Sequence, residues 1–225
     1  RSAILTGVTS TEFGTTTLEL SEKAVPAPRR KTGRPLSFDR DVALEQAMLT
    51  FWAYGYETTS IVDLTTAMGV TAPSLYTAFG DKKRLFLEAV ARYAGDPAAM
   101  ADRIAGAATS YEAARNMLVA AATAFTGETT PKGCLLASAT ASGSADSAEV
   151  QRAVATIRGA IAEHLRARIE QDIAAGVLPP GTKAVSMAGL VIAVIQGLSV
   201  LARDGTTRAQ LIDIGSTALG AWPGK

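Results

Sequence analysis

The chain has 225 residues, 48% of them hydrophobic and 19% charged, and its 22 basic and 21 acidic side chains give a net charge of +1. This is the composition of a soluble globular protein. A net charge so close to neutral neither supports nor excludes nucleic-acid binding until the local distribution of charge is considered. A single cysteine excludes an internal disulfide framework and a CxxC metal site. Residues 1–24 lack the basic, apolar and small-residue order of a signal peptide, so we expect a cytoplasmic protein.

Residues 1–36 are predicted to form a flexible N-terminal arm with a basic end. Thr, Ser and Gly dominate its first part, and three prolines surround a group of cations in its second part. A solvated tail is the simpler explanation for residues 1–25. A basic group just ahead of a helical DNA reader can instead track phosphates or enter the minor groove. Its members are Arg29, Arg30, Lys31 and Arg34.

Two helices and a tight turn are predicted next. Apolar residues recur every three or four positions over residues 39–54, which predicts an amphipathic first helix. Ser60 supplies an N-cap for a second helix, with Asp63 as an acidic capping-box partner. Gly69 then begins a turn toward a third helix. Two short helices joined by a tight turn and packed on a longer first helix are the helix-turn-helix arrangement, whose second helix docks in the DNA major groove.

Residues 71–80 are predicted to form that third helix, which is very short. Thr71 is a suitable N-cap, and Pro73 falls in the first turn, where a missing N–H is no loss. Leu75 and Phe79 are four residues apart and face a core. The remaining face carries small residues, hydroxyls and one tyrosine but no charge, which suits close approach to a surface such as the major groove.

A fourth helix is predicted from about Lys82 to Tyr93, and its first turn is basic. Lys82, Lys83 and Arg84 lie where the helix dipole disfavours cations. Nearby DNA phosphates would offset that cost, and a solvated run of charge is the alternative.

These residues together resemble the DNA-binding domain of TetR-family transcriptional regulators over roughly residues 33–95. The resemblance implies an all-α protein, in which a helix-turn-helix three-helix domain at 37–95 precedes a helical effector-binding and dimerisation domain at 96–225. The matching positions are Gly33-Arg-Pro35, Ala43-Leu44, Phe51-Trp52, Gly55-Tyr-Glu57, Thr59-Ser60, Gly69-Val70, Ser74-Leu-Tyr76, Phe79, Asp81-Lys82 and Leu85-Phe86.

The resemblance also nominates residues for contact with double-stranded DNA. Positions matching Tyr76 and Lys82 contact phosphates in the family, the start of the third helix reads bases, and the cap near Thr59 approaches the backbone. Val62 and Ala78 depart from the family pattern, in which basic and histidine residues are frequent, so discrimination depends more on thymine-methyl contacts and DNA shape. The nominated residues are Thr59, Ser60, Thr71, Ala72, Pro73, Ser74, Tyr76, Thr77 and Lys82.

Residues 96–225 are predicted to be helical throughout. Two helices occupy 96–126 with a break near Thr109, and a short apolar helix begins at Cys134. Asp146 and Glu149 are predicted to cap a long helix that ends near residue 175.

The last two helices are predicted over about residues 182–203 and 207–221. The first of them is apolar enough to span a membrane, but its polar residues and the absence of an aromatic belt argue against that role. The resemblance implies instead that both helices form a four-helix bundle with a second subunit, and a two-fold homodimer would read a palindromic operator. Small residues that permit close approach are Ala188, Gly189, Ala193 and Gly197.

The second domain is also expected to bind a small-molecule effector. The candidate pocket residues lie on apolar helix faces, and ordinary core packing is the alternative for each of them. One cysteine and one histidine cannot assemble a metal site without several carboxylates, so we expect neither a metal nor a cofactor. The candidates are Met100, Ile104, Tyr111, Met117, Phe125, Cys134, Leu135, His164, Leu165 and Gln196.

The sequence therefore predicts a dimeric, ligand-responsive transcriptional repressor. A regulator that senses oxidants or electrophiles through Cys134 is the alternative, although a free cysteine is usually a small buried hydrophobic residue. An enzyme is not expected, because the chain has one histidine, no Gly-rich phosphate loop and no nucleophile elbow. An architectural DNA binder is disfavoured by the near-neutral charge and the dedicated second domain.

Overall fold

Helices provide the regular structure of the described part of the chain. The structure is a computed structural model that describes residues 38–138 and 147–224. Ten α-helices and no β-strand lie within these two ranges, so the predicted all-α fold is confirmed there. The helices are α1 (Arg40–Tyr54), α2 (Ile61–Met68), α3 (Ala72–Phe79), α4 (Lys82–Ala94), α5 (Pro97–Ala105), α6 (Ser110–Phe125), α7 (Leu135–Ser138), α8 (Ala148–Ala174), α9 (Ala184–Arg203) and α10 (Arg208–Ala218), followed by a 3-10 turn at Leu219–Ala221.

Side-chain caps set the starts of the first four helices. The carboxylate of Asp39 accepts two backbone hydrogen bonds at the start of α1. Ser60 and Asp63 form a reciprocal capping box at α2, and the hydrogen bonds from Ser60 lower the pKa of Asp63. Thr71 and Asp81 accept backbone hydrogen bonds at α3 and α4. Each cap satisfies N–H groups that have no partner within the helix, at the positions where the sequence predicted helix starts.

An aromatic and aliphatic core joins α1 to α4. Phe51 and Phe86 are fully buried, and their rings meet edge to face with centroids 5.0 Å apart. Leu64 from α2 and Leu75 from α3 are buried with them, and Phe79 is nearly so. Burial of each large apolar side chain contributes about 1.5–3 kcal/mol, so the inward faces of these short helices, rather than their intrinsic helix propensity, stabilise them.

Gly80 makes the turn between α3 and α4. Its φ of 86° lies where L side chains are strained. A Cβ at this position would lie 2.9 Å from Cδ of Arg84. The glycine therefore permits a short connection that fixes α3 against the start of α4.

Helices α6, α8 and α9 pack against one another and form the centre of the second half of the chain. The predicted break near Thr109 is confirmed, because Thr109 caps the start of α6. Asp146 lies outside the described residues. Its predicted capping partner Glu149 bonds Lys83 instead, and Ser147 makes no side-chain cap at α8.

Helix α9 buries only part of its apolar surface within one chain. Its length and mean hydropathy of 2.1 match those of a membrane span, and 28% of the apolar window is buried. Ala188, Val191 and Leu198 face the interior, whereas Val185 and Val200 are exposed. An inward-facing side and an outward-facing apolar side thus coexist on one helix, and the outward side has no partner within the described chain.

Candidate nucleic-acid interface

Helix α3 presents an uncharged face to the outside. Pro73, Tyr76 and Thr77 are exposed, with Tyr76 at 48% of its full accessibility, while Ala72 and Ser74 are half-buried beside them. The opposite face is held in the core. The structure thus brings these five predicted contact residues together on one small surface.

The hydroxyl groups on α3 are already oriented by local hydrogen bonds. Thr71 Oγ1 and Ser74 Oγ lie 2.9 Å apart, and the Ser74 N–H donates to Thr71 Oγ1. Thr77 Oγ1 donates to the carbonyl of Pro73 at 2.8 Å. The proton of Thr77 is therefore engaged and its lone pairs remain to accept from a partner.

Arg40 holds the end of α3 and was not predicted as a site residue. Its guanidinium lies 4.4 Å from the ring centroid of Phe79 and bonds the carbonyl of Ala78 at 3.4 Å. It also pairs with Glu88 on α4 at 2.6 Å. A cation at the C-terminal end of α3 is favoured by the helix dipole. The unfavourable position of this cation at the start of α1 was the sequence signal that it has a partner elsewhere.

Lys82 is positioned by the turn between α1 and α2. Its Nζ donates to the carbonyl of Glu57 at 3.3 Å and lies 4.6 Å from the ring centroid of Tyr56. Burial lowers the pKa of Lys82, and the charge of Glu57 opposes that effect. The side chain is half-buried at the start of α4, so its ammonium is held in place rather than free to sample solvent.

The three basic residues at the start of α4 do not act as one unit. Lys83 pairs with Glu149 of α8 at 2.6 Å, which raises the pKa of Lys83 and lowers that of Glu149. Arg84 lies 3.9 Å from the capping carboxylate of Asp81. Carboxylates therefore offset the helix dipole at two of the three positions, and phosphates are not needed to explain them.

Thr59 is a correction to the predicted contacts. Its side chain is buried, and Oγ1 donates to the carbonyl of Gly55 at 2.6 Å. The hydroxyl is therefore unavailable to a phosphate. Ser60 is exposed, but its hydroxyl is engaged by Asp63 in the capping box. The predicted basic arm, Arg29 to Arg34, lies outside the described residues.

A loop at Gly133 connects the two halves of the described chain. The indole Nε1 of Trp52 donates to the Gly133 carbonyl at 2.9 Å, and Arg203 of α9 donates to the carbonyl of Trp52 at 3.1 Å. The N–H of Cys134 donates to Ser199 Oγ at 2.8 Å. Gly133 has a φ of 77°, and a Cβ there would lie 2.8 Å from the Ser199 carbonyl oxygen. This junction ties α1 directly to α9.

Cys134 is buried within the same junction, at 5% exposure. The hydroxyl of Tyr93 lies 3.4 Å from its Sγ and donates to it. Burial raises the pKa of Tyr93, and the neighbouring thiol adds to that rise. The thiol thus contacts the end of α4, one helix away from α3.

The predicted effector residues are distributed between core and partly exposed positions. Ile104, Phe125, Cys134, Leu135 and Leu165 are buried, as ordinary packing requires. Cavities of about 390 and 190 Å³ lie in this half of the described chain. Tyr111 lines the smaller cavity, and the other nine candidates line neither. The half-buried candidates are Met100, Tyr111, Met117, His164 and Gln196.

No group of three or more His, Cys, Asp or Glu side chains could hold a metal ion within residues 38–138 and 147–224. His164 lies half-buried on α8, distant in sequence from the cysteine.

Comparison with known proteins identifies relatives of both halves. The description "Bacterial regulatory proteins, tetR family" matches residues 43–89, and "Tetracyclin repressor-like, C-terminal domain" matches residues 112–211. The HTH-type transcriptional repressor ComR of Escherichia coli (strain K12) is 34% identical over 197 residues, which cover 87% of this chain and 94% of ComR.

Solved structures extend this similarity to the fold. A cysteine mutant of the TetR family transcriptional regulator CifR, complexed with 26-bp double-strand operator DNA, is 39% identical with a TM-score of 0.79, covering 85% of this chain and all of that one. A TetR transcriptional regulator from Rhodococcus sp. RHA1 is 33% identical with a TM-score of 0.54, covering 82% of this chain and all of that one.

Proposed function

The chain belongs to the TetR family of bacterial transcriptional regulators, and we propose that it is a dimeric repressor that a small-molecule effector releases from a palindromic operator. The observation that carries this proposal is the exposed, uncharged face of α3, which Leu75, Phe79 and Arg40 fix to the rest of the domain. The repressor ComR and the operator-bound CifR structure support it.

In the proposed complex, residues 37–95 dock with α3 in the major groove. Ala72 and Pro73 approach thymine methyl groups, and Ser74 and Thr77 offer hydroxyls to base edges or phosphates. Tyr76 and Lys82 contact phosphates on either side, and the basic residues at 29–34 add further phosphate contacts. Since Thr59 is buried, its hydroxyl takes no part in the proposed contacts.

Helices α9 and α10 form the proposed subunit interface. Val185, Leu190 and Val200 expose apolar surface on α9, and Ile214 does so on α10. Open space surrounds the Cβ position of Gly189, so a partner helix can approach closely there. Pairing these faces would bury the apolar side of α9 and set two copies of α3 about one DNA turn apart, roughly 34 Å.

An effector releases the operator only if it binds the two conformations of the dimer with different affinities. The junction at Gly133 supports a route for that change. Through Trp52, Cys134 and Arg203 it joins α9 to α1 by direct hydrogen bonds, so a shift of α9 bears on the position of the DNA-binding helices.

The DNA-binding role is tested by operator titrations with three variants. Tyr76→Phe and Lys82→Ala should each weaken operator affinity, and Lys82→Ala should reduce the salt slope of binding by about one contact. Lys132→Ala is the matched control, because Lys132 lies in the loop after α6 and bonds only that loop. Unchanged affinity in both test variants would contradict the docking proposal.

Electrophile or oxidant sensing through Cys134 is the second candidate. It is favoured by the position of the thiol, which touches Tyr93 of α4 and adjoins the Gly133 loop. Cys134→Ser should abolish release of operator DNA by an oxidant or electrophile while leaving operator affinity intact. Release that persists in this variant eliminates the cysteine as the sensor.

A further inference from the structure

A cavity of about 190 Å³ lies between the start of α6, the end of α8 and residues 222–224. No residue of α1 to α4 contributes to its wall, and it is separate from nine of the ten predicted effector residues. Its wall is formed by Thr109, Ser110, Tyr111, Asp172, Val177, Leu178, Trp222, Pro223 and Gly224.

A buried polar atom of one wall residue has no partner. Trp222 is 5% exposed, yet its indole Nε1 makes no hydrogen bond within the described chain. A buried indole N–H is ordinarily bonded, since an unmet donor loses its hydration without compensation. An unmet donor on a residue that lines the cavity indicates a guest that carries a hydrogen-bond acceptor.

The charge of Asp172 is already matched. Its Oδ2 accepts from the N–H of Ser110 at 2.6 Å, and its Oδ1 accepts from the guanidinium of Arg168. Burial acts to raise the pKa of Asp172, but the hydrogen bonds from Ser110 and Arg168 outweigh it and leave the pKa below its ordinary value. The ion pair leaves no uncompensated charge in the wall, so neither a cationic nor an anionic guest finds a partner of opposite charge. A neutral guest fits.

The rest of the wall is apolar and sets the size of the guest. The rings of Tyr111 and Trp222 meet edge to face with centroids 6.3 Å apart, and Val177, Leu178 and Pro223 complete the surface. An apolar cavity of about 150 Å³ in another protein holds benzene, so about 190 Å³ accommodates one ring with a small substituent or a chain of similar volume.

We propose that this cavity binds a small uncharged compound, the size of a substituted single ring, whose carbonyl or other acceptor oxygen takes a hydrogen bond from Trp222 Nε1. That this compound is the effector rests on the proposed function. Its binding does not, and can be measured without DNA.

The experiment uses the full chain and three matched probes. Acetophenone is a neutral ring with an acceptor oxygen, α-methylstyrene has nearly the same shape without that oxygen, and benzoate is a charged analogue. Titration calorimetry gives affinity, and the two tryptophan indole N–H signals report the site by NMR. Trp222→Phe assigns them, and Trp52, already bonded to Gly133, is the internal reference.

Acetophenone should bind saturably and shift the Trp222 indole proton downfield while the Trp52 signal stays in place. The other two probes should bind at least several-fold more weakly. Trp222→Phe, which removes the indole N–H, should weaken acetophenone binding about threefold to tenfold, the loss expected for one buried hydrogen bond. Ser186→Ala, which removes an exposed hydroxyl on α9, should leave its affinity unchanged.

Absence of acetophenone binding, an unmoved Trp222 signal at saturation, or equal affinity for all three probes would each overturn the proposal. Operator titration of the same preparation keeps the two proposals separate. A protein that binds operator but not the probe refutes the cavity proposal alone, whereas one that binds the probe but not operator refutes the repressor proposal alone.

Discussion

Replacing Asp172 by asparagine tests how the buried ion pair connects α8 to α6. In the native chain each carboxylate oxygen accepts from a different donor, Oδ2 from the Ser110 N–H and Oδ1 from Arg168. An amide has one oxygen and one NH2 group, so in either orientation one of these donors faces another donor. Both side chains of the ion pair are largely buried, at 11% exposure for Arg168 and 4% for Asp172, so water does not replace the lost acceptor.

The expected cost follows from that geometry. An unmet buried donor costs about 1–3 kcal/mol, and breaking a buried ion pair costs about 3–5 kcal/mol. We expect Asp172→Asn to lower the free energy of unfolding by about 3 kcal/mol, which is roughly 6–12 °C in Tm for a chain of this size. The measurement is urea unfolding and calorimetry at one fixed protein concentration, since the proposed dimerisation would make stability concentration-dependent.

Glu163→Gln is the control on the same helix, because its pair with Arg166 is exposed. This control should change stability little. A second readout is pH. Since the folded pKa of Asp172 lies below its ordinary value of 3.8, its stabilising contribution is present above that pH and is lost as pH falls through the folded value. The difference in the free energy of unfolding between the native chain and Asp172→Asn should therefore become smaller below pH 4. Equal effects of the two variants at pH 7 would refute the reasoning.

Three further predictions concern the fold and its assembly. Gly133→Ala should destabilise the chain and weaken operator binding, because the added Cβ would meet the Ser199 carbonyl. Thermal melts and operator titrations measure these effects, and unchanged stability would contradict the close contact. Arg40→Ala should weaken operator affinity while lowering Tm only slightly, since Arg40 positions the end of α3. A lower Tm with unchanged operator affinity would assign Arg40 a purely structural role. Val200→Asp should shift the proposed dimer toward monomer in analytical ultracentrifugation, and an unchanged sedimentation coefficient would exclude this face from the interface.

Local chemistry made the first four helices predictable. The caps at Ser60 and Thr71 and the glycine at position 80 act within a few residues, so their sequence spacing is enough to place helix ends. The inward direction of Leu75 and Phe79 followed from helical periodicity for the same reason.

Contacts between distant segments were not predictable in the same way. Thr59 lay in the right segment for a DNA contact, but whether its hydroxyl faces outward depends on how the preceding turn folds back to Gly55. Lys83 was interpreted with its neighbours as a phosphate contact because Glu149, its partner, lies 66 residues away.

The same limit applies to the interior. Periodicity identifies which helix face is buried, but not where packing leaves space. All ten predicted effector residues are buried or half-buried, and their role stays a prediction. The smaller cavity includes one of them, Tyr111, together with Ser110 and Trp222, which only the folded chain brings together.

The junction at Gly133 makes the position of the last turn of α9 sensitive to small rotations of the whole helix. A helix of 20 residues is about 30 Å long, so tilting α9 by about 5° about its far end displaces the opposite end by roughly 2.6 Å. Arg203 is the last residue of α9 and donates one hydrogen bond of 3.1 Å to the carbonyl of Trp52. A displacement of that size exceeds what the hydrogen bond can absorb by stretching, so the bond is kept only if the Arg203 side chain changes rotamer or Trp52 moves with the helix. The orientation of α9 and the position of α1 are therefore coupled at this residue.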